Sequence, residues 1–458
     1  MQRSDGAEAK AATLKEISGD YNEMRAQSDP SLTPPRADAT LDITFETDAL
    51  TTLVAEFKRL GDAFTARSPA LDRDLWVLSH PDHVRHVLVD HHANFTKGIG
   101  IERVAILLGN GIMTSEGDHW RTQRKLLQPA FHRKVIATWM PHVHAATDRL
   151  ARRWEHAAKR GEPVNVTQDM SEATLEVVLR ALFGEDLALL ESGHRSPFAL
   201  LTDHTERNLA FAYKFRQLGK LIMGDVARRR SSGVRRGDIV SYLIDARDRQ
   251  SGEPMSERDL LDEIMTLIIA GHETTASSLN WFWYLMTQAP DVAARLRAEV
   301  DAASGDPPSY EGLSAFPFVR RALDETLRLY PPGWLLTRRS IEPAAVAGFR
   351  MPAGTDVLLS PYLVHRHPDF WDDPEAVDPD RFLPEASEAR NRFAYLPFGL
   401  GPRACIGEHF ALVEMHAHAA MLARRFALTL VPGQTIEIEP QVNLRTRQPV
   451  YMQVTMRC

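Results

Sequence analysis

The stretch from Ser256 to Gln288 most constrains what this chain can fold into. It opens on Ser256-Glu257-Arg258-Asp259, which resembles a helix capping box with Asp in place of the usual Glu or Gln. About thirty helical residues, rising about 1.5 Å each, make a rod of roughly 45 Å, enough to cross a domain of this size. The middle of the rod, Ile264-Met265-Thr266-Leu267-Ile268-Ile269, is apolar on nearly every side and therefore demands burial. Into that burial the chain places Ala270-Gly271-His272-Glu273-Thr274-Thr275. The small Ala270-Gly271 pair lets another group lie against the helix, and a threonine hydroxyl can bond back to a carbonyl one turn earlier. Glu273 and Thr274 have two readings. They are an acid and an alcohol able to deliver protons to something bound beside them, or they are a solvated turn or a glutamate neutralised by an arginine.

The rest of the chain supplies the surroundings of such a rod. A helix from about Asp48 to Leu60 puts Leu50, Leu53, Val54, Phe57 and Leu60 on one face. Leu75-Trp76-Val77-Leu78 reads as a short strand, and Pro81 opens a helix through Leu88. Phe95 to Met113, with four glycines, reads as an irregular lid or pocket wall. Helical patterns dominate from Asp118 to about Tyr330, and from about Ala344 short strands and proline-rich loops take over, including Thr355 to Leu359 and Ala427 to Val431. The expected fold is mainly α with a smaller β part. Residues 1–40 are polar, mixed in charge and proline-containing, and read as a flexible leader with some helical potential from Ala7 to Ile17; residues 41–458 read as one domain. No apolar run approaches the roughly 20 residues needed to span a bilayer, so a soluble protein without a membrane anchor is expected. A net charge of −7 argues against nucleic acid as a partner. The chain has two cysteines, Cys405 and the terminal Cys458, which cannot build a disulfide framework, so a reducing cytoplasm is the natural compartment.

Cys405 lies in Phe398-Gly399-Leu400-Gly401-Pro402-Arg403-Ala404-Cys405-Ile406-Gly407, a glycine-rich loop that runs into an amphipathic helix from Glu408 to about Arg425. A thiolate just before a helix start faces unpaired N–H groups and the positive end of the helix dipole. A lone cysteine suits haem iron better than zinc, which takes several protein ligands; a small buried hydrophobe is the alternative. Gly399 to Ala404 also fits the dinucleotide pattern G-x-G-x-x-A, but Pro397 interrupts the strand that should precede it. The acidic residue due about twenty positions on is replaced by Ala423-Arg424-Arg425, so that reading fails.

Two further pairs carry signals. Glu325 and Arg328 share a helix face ahead of Pro331-Pro332. They are an ordinary surface pair worth ~0.5 kcal/mol, or, with Arg381, a buried network that pins the sheet part to the helices. Trp120 and Arg124 are i,i+4 neighbours that can point an indole N–H and a guanidinium at one anion, with Arg338 and Arg403 as further candidates; a surface cation–π pair is the alternative. Arg121, Lys125, Arg133 and Lys134 form a basic face.

Taken in order from Trp120 to Gly407, these motifs resemble the cytochrome P450 family of haem-thiolate monooxygenases, over essentially the whole chain after the leader. The resemblance implies a cytochrome P450-like fold with the long helix crossing the haem, and haem b (iron protoporphyrin IX) as cofactor. It implies Cys405 as the proximal iron ligand with Phe398 near its sulfur, and Glu273 and Thr274 as the pair that guides protons to dioxygen. Trp120, Arg124, Arg338 and Arg403 are similar to the family's haem-propionate partners. Ala270, Gly271 and Gly407 are further cofactor-contacting positions. Glu325, Arg328 and Arg381 are similar to its structural triad, although Asp380 replaces the Glu common before that arginine. The implied activity is insertion of one atom of O2 into an apolar or amphipathic small molecule, by hydroxylation or epoxidation, in a soluble enzyme of bacterial type. The substrate wall is expected from Gly98–Met113, the middle of the long helix and Gly333–Leu336. The sequence shows no flavin or nicotinamide domain, so electrons are expected from a separate ferredoxin or flavodoxin-type donor, for which Arg121, Lys125, Arg133 and Lys134 form either the docking patch or a solvated basic face. The other classes are a haem-thiolate enzyme that uses peroxide or rearranges its substrate, and a non-catalytic haem sensor.

Overall fold

The computed structural model describes residues 33–43, 48–191, 196–202, 209–248, 251–303 and 307–457. Most of the expected leader, its helical segment Ala7–Ile17, and Cys458 lie outside the described residues. Along the chain come α1 (Ala49–Leu60), β1 (Ala63–Ser68), β2 (Arg73–Leu78), α2 (Pro81–Arg85), β3 (Phe95–Lys97), α3 (Ile101–Leu108), α4 (Gly117–Leu127) and α5 (Met140–Arg160). Next are β4 (Pro163–Asn165), α6 (Val166–Phe183), α7 (Leu209–Ser232), α8 (Glu257–Gln288), α9 (Pro290–Ala302) and α10 (Pro317–Leu329). The remainder is β5 (Leu336–Ser340), β6 (Ala344–Val346), β7 (Phe349–Met351), β8 (Asp356–Leu359), α11 (Glu408–Arg425) and β9 (Phe426–Leu430). Strands β10 (Ile438–Pro440), β11 (Leu444–Thr446) and β12 (Tyr451–Met456) close the chain. The fold is mainly helical with a smaller sheet part.

The chain divides into two compact units, Met1–Ile99 with Thr337–Ser360, and Gly100–Leu336 with Pro361–Cys458. The first holds a five-stranded sheet of order β1-β2-β8-β5-β3, in which β1 and β2 are antiparallel and β2 and β8 parallel. Residues 75–78 are buried without a break, as a strand covered on both faces requires. Ordered pairing begins inside the stretch read as leader, because Pro35 and Ala37 exchange backbone hydrogen bonds with Thr65 of β1.

The second unit is organised by α8, a continuous helix of 32 residues. Its N-cap forms as the sequence suggested: Ser256 Oγ accepts from the Asp259 N–H at 3.1 Å. The shorter Asp side chain takes the Ser256 hydroxyl proton, at 2.6 Å, where the usual Glu would reach the backbone. Residues 262–268 are all buried, and α8 packs against α6, α7, α9, α10 and α11. Two apolar clusters flank it, one built around α6, α7 and the first half of α8, the other around α5, α9, α10, α11 and the second half.

The segment expected to be irregular, Phe95 to Met113, contains the helix α3. Gly109 and Gly111 follow that helix and lie directly on α8. A Cβ on Gly109 would stand 2.2 Å from the Asp262 carboxyl carbon, and one on Gly111 would stand 2.8 Å from the Asp262 carbonyl oxygen. The Asn110 N–H donates to the Asp262 carboxylate at 2.8 Å. These glycines serve close approach to the long helix.

Candidate functional site

The cysteine loop is shaped by its glycines and by one internal bond. Gly399 and Gly401 have φ of 69° and 70°, values open to glycine at little cost. The Cys405 N–H donates to the Phe398 carbonyl at 2.9 Å, folding the loop back on itself just before α11. Phe398 is partly buried against the second core cluster. The backbone N–H groups of Gly407 and Glu408 donate to the Cys405 sulfur. Solvent reaches the residue, yet protein atoms crowd the sulfur so closely that desolvation pushes its pKa up, against the N–H donors and Arg124, which pull it down. The helix-dipole argument from sequence is therefore outweighed by burial in the protein alone. Among the described residues, Cys405 belongs to no cluster of three or more metal-ligand side chains. A single soft donor backed by two N–H groups fits a thiolate bond to haem iron and does not fit zinc.

Three side chains named from sequence gather at this loop. Arg124 donates to the Ala404 carbonyl at 2.8 Å, one residue before the cysteine. The Arg403 guanidinium lies over the Trp120 ring, 3.8 Å from its centroid, donates to the Ser115 carbonyl at 2.9 Å and pairs with Glu116. Burial lowers the pKa of both arginines; Cys405 opposes this at Arg124 and Glu116 opposes it at Arg403. A guanidinium offers five N–H donors, so Arg124 retains others for a carboxylate. These residues fit a cofactor that brings anionic groups to the cysteine loop. Arg338 sits in the other unit, on β5 opposite Lys97 of β3, and donates to the Thr337 carbonyl at 2.8 Å.

On α8, the burial of residues 262–268 gives way at Ile269, Ala270, Gly271, Glu273 and Thr274, which are half-exposed, before it resumes at Thr275. Positions 269, 270, 273 and 274 share one face. Thr274 Oγ1 donates to the Ala270 carbonyl at 2.9 Å and Thr275 Oγ1 to the Gly271 carbonyl at 3.0 Å, the back-bonding expected, while the helix stays continuous. The Glu273 carboxylate accepts from Asn443 Nδ2 at 3.2 Å. Gly271 turns its missing side chain toward α6: a Cβ there would stand 3.0 Å from Val178 Cγ2. Part of the room left by the Ala270-Gly271 pair is thus taken by helix packing.

The Glu325–Arg328 pair is fully buried. Arg328 Nε and Nη2 donate to the two Glu325 oxygens at 2.7 and 2.8 Å. Its Nη groups also reach the carbonyls of His365, Pro374 and Ala376. Arg381 Nε lies 3.6 Å from Glu325, which also accepts from the Asp378 N–H at 2.9 Å. The buried network is the arrangement observed and the surface pair is not. Its partners lie in the irregular segment 365–381, so within this unit it organises loop backbone, not strands. Burial raises the Glu325 carboxyl, with Arg328, Asp378 and Arg381 opposing. Asp380 pairs outward with Arg295 at 2.8 Å.

Several participants escaped the sequence. His365 Nδ1 bonds the Arg328 carbonyl at 3.1 Å and its Nε2 accepts the Leu396 N–H at 2.9 Å, which links the buried arginine to the residues just before the cysteine loop. Burial holds its pKa down at about 3. Asn443 and Glu116 were likewise missed, since no local pattern relates residue 443 to residue 273. Trp334, named as a wall residue, is buried and donates to the Gln441 carbonyl at 2.8 Å. Val104, Leu107, Ile112 and Met113 are partly buried against the first core cluster, as is Ile269.

Comparisons with known proteins agree with this geometry. The family model described as Cytochrome P450 matches residues 51–230 and 214–455. Cyclooctatin synthase of Streptomyces melanosporofaciens is 36% identical over 400 residues, covering 83% of this chain and 86% of the relative. Cyclooctat-9-en-7-ol 5-monooxygenase of the same organism is 32% identical, covering 79% and 82%. Pentalenene oxygenase of Streptomyces avermitilis is 31% identical, covering 79% and 83%. The crystal structure of the cytochrome P450DA heme domain superposes with a TM-score of 0.83 over 93% of this chain and 98% of that one, at 24% identity, a likeness of fold.

Proposed function

The chain belongs to the cytochrome P450 family and is a haem-thiolate monooxygenase of small molecules, and from that premise we propose which residues hold the cofactor, which move protons and what kind of substrate is taken. The cofactor is haem b. Cys405 would be the thiolate that holds its iron, oriented by the Gly407 and Glu408 N–H groups. Arg124, Arg403 and Trp120 hold the propionates. The observation that carries this reading is the convergence of Arg124, Arg403 and Trp120 on the loop of the one described cysteine. Phe398 and Gly407 complete the loop around the sulfur, and Ala270 keeps the open face of α8 slim while Gly271 lets α6 pack behind it. Glu325, Arg328 and Arg381 act structurally, through loop backbone.

When bound, haem supplies the oxygen-activating chemistry. The chain's own residues supply geometry and protons. Thr274 keeps its hydroxyl against the Ala270 carbonyl, which leaves its oxygen lone pairs to accept and pass a proton. Glu273 holds a carboxylate one residue away, half-exposed, where it can exchange protons with water. Ile112, Met113 and Ile269 present apolar surface, which supports an apolar or amphipathic substrate. The relatives whose names mention cyclooctat-9-en-7-ol and pentalenene make cyclic terpenoids the first class to try. Electrons come from a separate ferredoxin or flavodoxin-type donor, and the protein works in the cytoplasm, with the residues before Pro35 as a leader. Among the described residues no helix is long and apolar enough to cross a membrane.

The test is a binding screen of cyclic terpenoids read by the haem absorption shift, followed by turnover with O2 and a ferredoxin system against peroxide alone. Product with O2 and the donor supports the proposal. Product with peroxide alone assigns the peroxide-using class, and haem shifts without product under either condition assign a sensor.

A further inference from the structure

We propose that Asn443 is a positioning residue for proton supply, its side-chain amide fixing the Glu273 carboxylate beside Thr274. This inference rests on the reading of Glu273 as the acid of the proton route.

One stripe of α8 carries the argument. Ser277 lies four residues after Glu273, and Asn280 and Trp281 lie three and four residues after Ser277, so all four share a face. Each bonds to the end of the β10–β11 hairpin. Asn443 Nδ2 donates to Glu273 at 3.2 Å, Ser277 Oγ to the Leu444 carbonyl at 2.6 Å, and Trp281 Nε1 to the same carbonyl at 3.1 Å. Asn280 Nδ2 donates to Thr446 Oγ1 at 3.2 Å, and Asn280 Oδ1 accepts from Thr167 of α6 at 3.0 Å. Ser277, Asn280 and Trp281 are buried, so these three bonds are shielded from water and hold β11 at a fixed height along α8. The turn Gln441–Asn443 is held from a second side. The Leu444 N–H donates to the Pro332 carbonyl at 3.0 Å and the Trp334 indole to the Gln441 carbonyl at 2.8 Å.

Asn443 is therefore presented by a braced turn, at the point where the α8 stripe passes from buried anchors to the half-exposed Glu273. A glutamate has three side-chain torsions to settle. An amide N–H on a rigid support narrows them, as a donor to the carboxylate. The bracing also reaches Pro332 and Trp334, in the segment that follows α10, so a shift of that segment moves the amide that holds the acid.

The test needs no substrate. Carbon monoxide on the reduced, haem-loaded protein has an infrared C–O stretch that responds to polar groups beside the ligand. The band is recorded for wild type, N443A, N443D, E273Q and the double variants E273Q/N443A and E273Q/N443D. N443D keeps the shape of the side chain and removes the donor, so it carries the test if N443A does not fold. The expected result is a shifted or split band in N443A and N443D, a shifted band in E273Q, and no further change when either 443 substitution is added to E273Q. An unmoved band in N443D and N443A, or the same change with and without E273Q, overturns the role of Asn443 and leaves Glu273 in place. An unmoved band in E273Q overturns the reading of Glu273, and the inference falls with it.

Discussion

Replacing Arg328 by alanine separates the two readings of the Glu325–Arg328 pair by an order of magnitude. A surface pair three residues apart would lose about 0.5 kcal/mol. In the structure both side chains are fully buried and the guanidinium makes five contacts: two to Glu325, at 2.7 and 2.8 Å, and three to the carbonyls of His365, Pro374 and Ala376. Removing one partner of a buried pair costs about 3–5 kcal/mol, because the other charge is left without compensation. Each buried carbonyl deprived of its donor adds about 1–3 kcal/mol unless water enters. The terms do not add in full, since Glu325 can take up a proton and its burial already pushes it that way. A loss of roughly 4 kcal/mol or more remains, against a total stability on the order of 5–15 kcal/mol for a folded domain. Urea unfolding followed by tryptophan fluorescence reads it, with Trp371 as a local reporter because its ring lies 5.0 Å from the Arg328 guanidinium. Arg328→Lys should recover only part of the loss, since an ammonium cannot reproduce the two-pronged contact. A loss below about 1 kcal/mol in Arg328→Ala, with Arg328→Lys unaffected, would refute the reasoning.

Further predictions follow from the same contacts. Thr274→Ala removes the hydroxyl beside Glu273, and with a bound substrate more of the consumed O2 should appear as hydrogen peroxide; unchanged coupling at normal haem content argues against the proton role. Cys405→Ala should abolish the absorption of the reduced carbon monoxide complex that marks thiolate ligation, so an unaltered spectrum would place the ligand elsewhere. His365, held at about 3 by burial against an ordinary 6.5, stays neutral in the folded protein while the unfolded chain takes up a proton. Its contribution is full above pH 6.5 and is lost as pH falls toward 3, and His416 and His418, held at about 4, act in the same direction. A His365→Gln variant should therefore show a shallower loss of stability between pH 6.5 and 4, measured by urea midpoints across that range. Gly111→Ala, whose Cβ would stand 2.4 Å from Thr266 Oγ1 and 2.8 Å from the Asp262 carbonyl, should lower stability and disturb ligand binding together, read by melting and by the haem absorption shift.

What the sequence made legible was local. The capping residues and the apolar middle of α8 announced a long buried helix, and Thr274 back-bonds as its position in that helix suggested. The cysteine loop was readable because glycine spacing, the lone thiol and the following helix all lie between Phe398 and Arg425. What was missed was non-local or decided by a balance of energies. Strand β1 pairs with β2 through its backbone, and Ala63-Phe64-Thr65-Ala66-Arg67-Ser68 carries no strong strand signature. Whether Glu325 and Arg328 were surface or core depended on loop carbonyls 37 to 48 residues away. His365 and Asn443 matter through partners that no spacing rule connects to them.

Cys405 shows how such a balance can itself carry function. Two N–H donors and Arg124 favour the thiolate, yet crowding by protein atoms outweighs them and the thiol is pushed up from its ordinary value. A site built to hold a bare thiolate would need more donors or more solvent. A site built to bind a metal needs neither, because the cation supplies the missing charge when the proton leaves. With Cys405 proposed as the iron ligand, the metal would supply that charge as the proton leaves, at a residue that solvent can reach. On that proposal an N–H donor to the sulfur would tune how strongly a bound thiolate donates to iron, while burial works against ionisation of the free thiol.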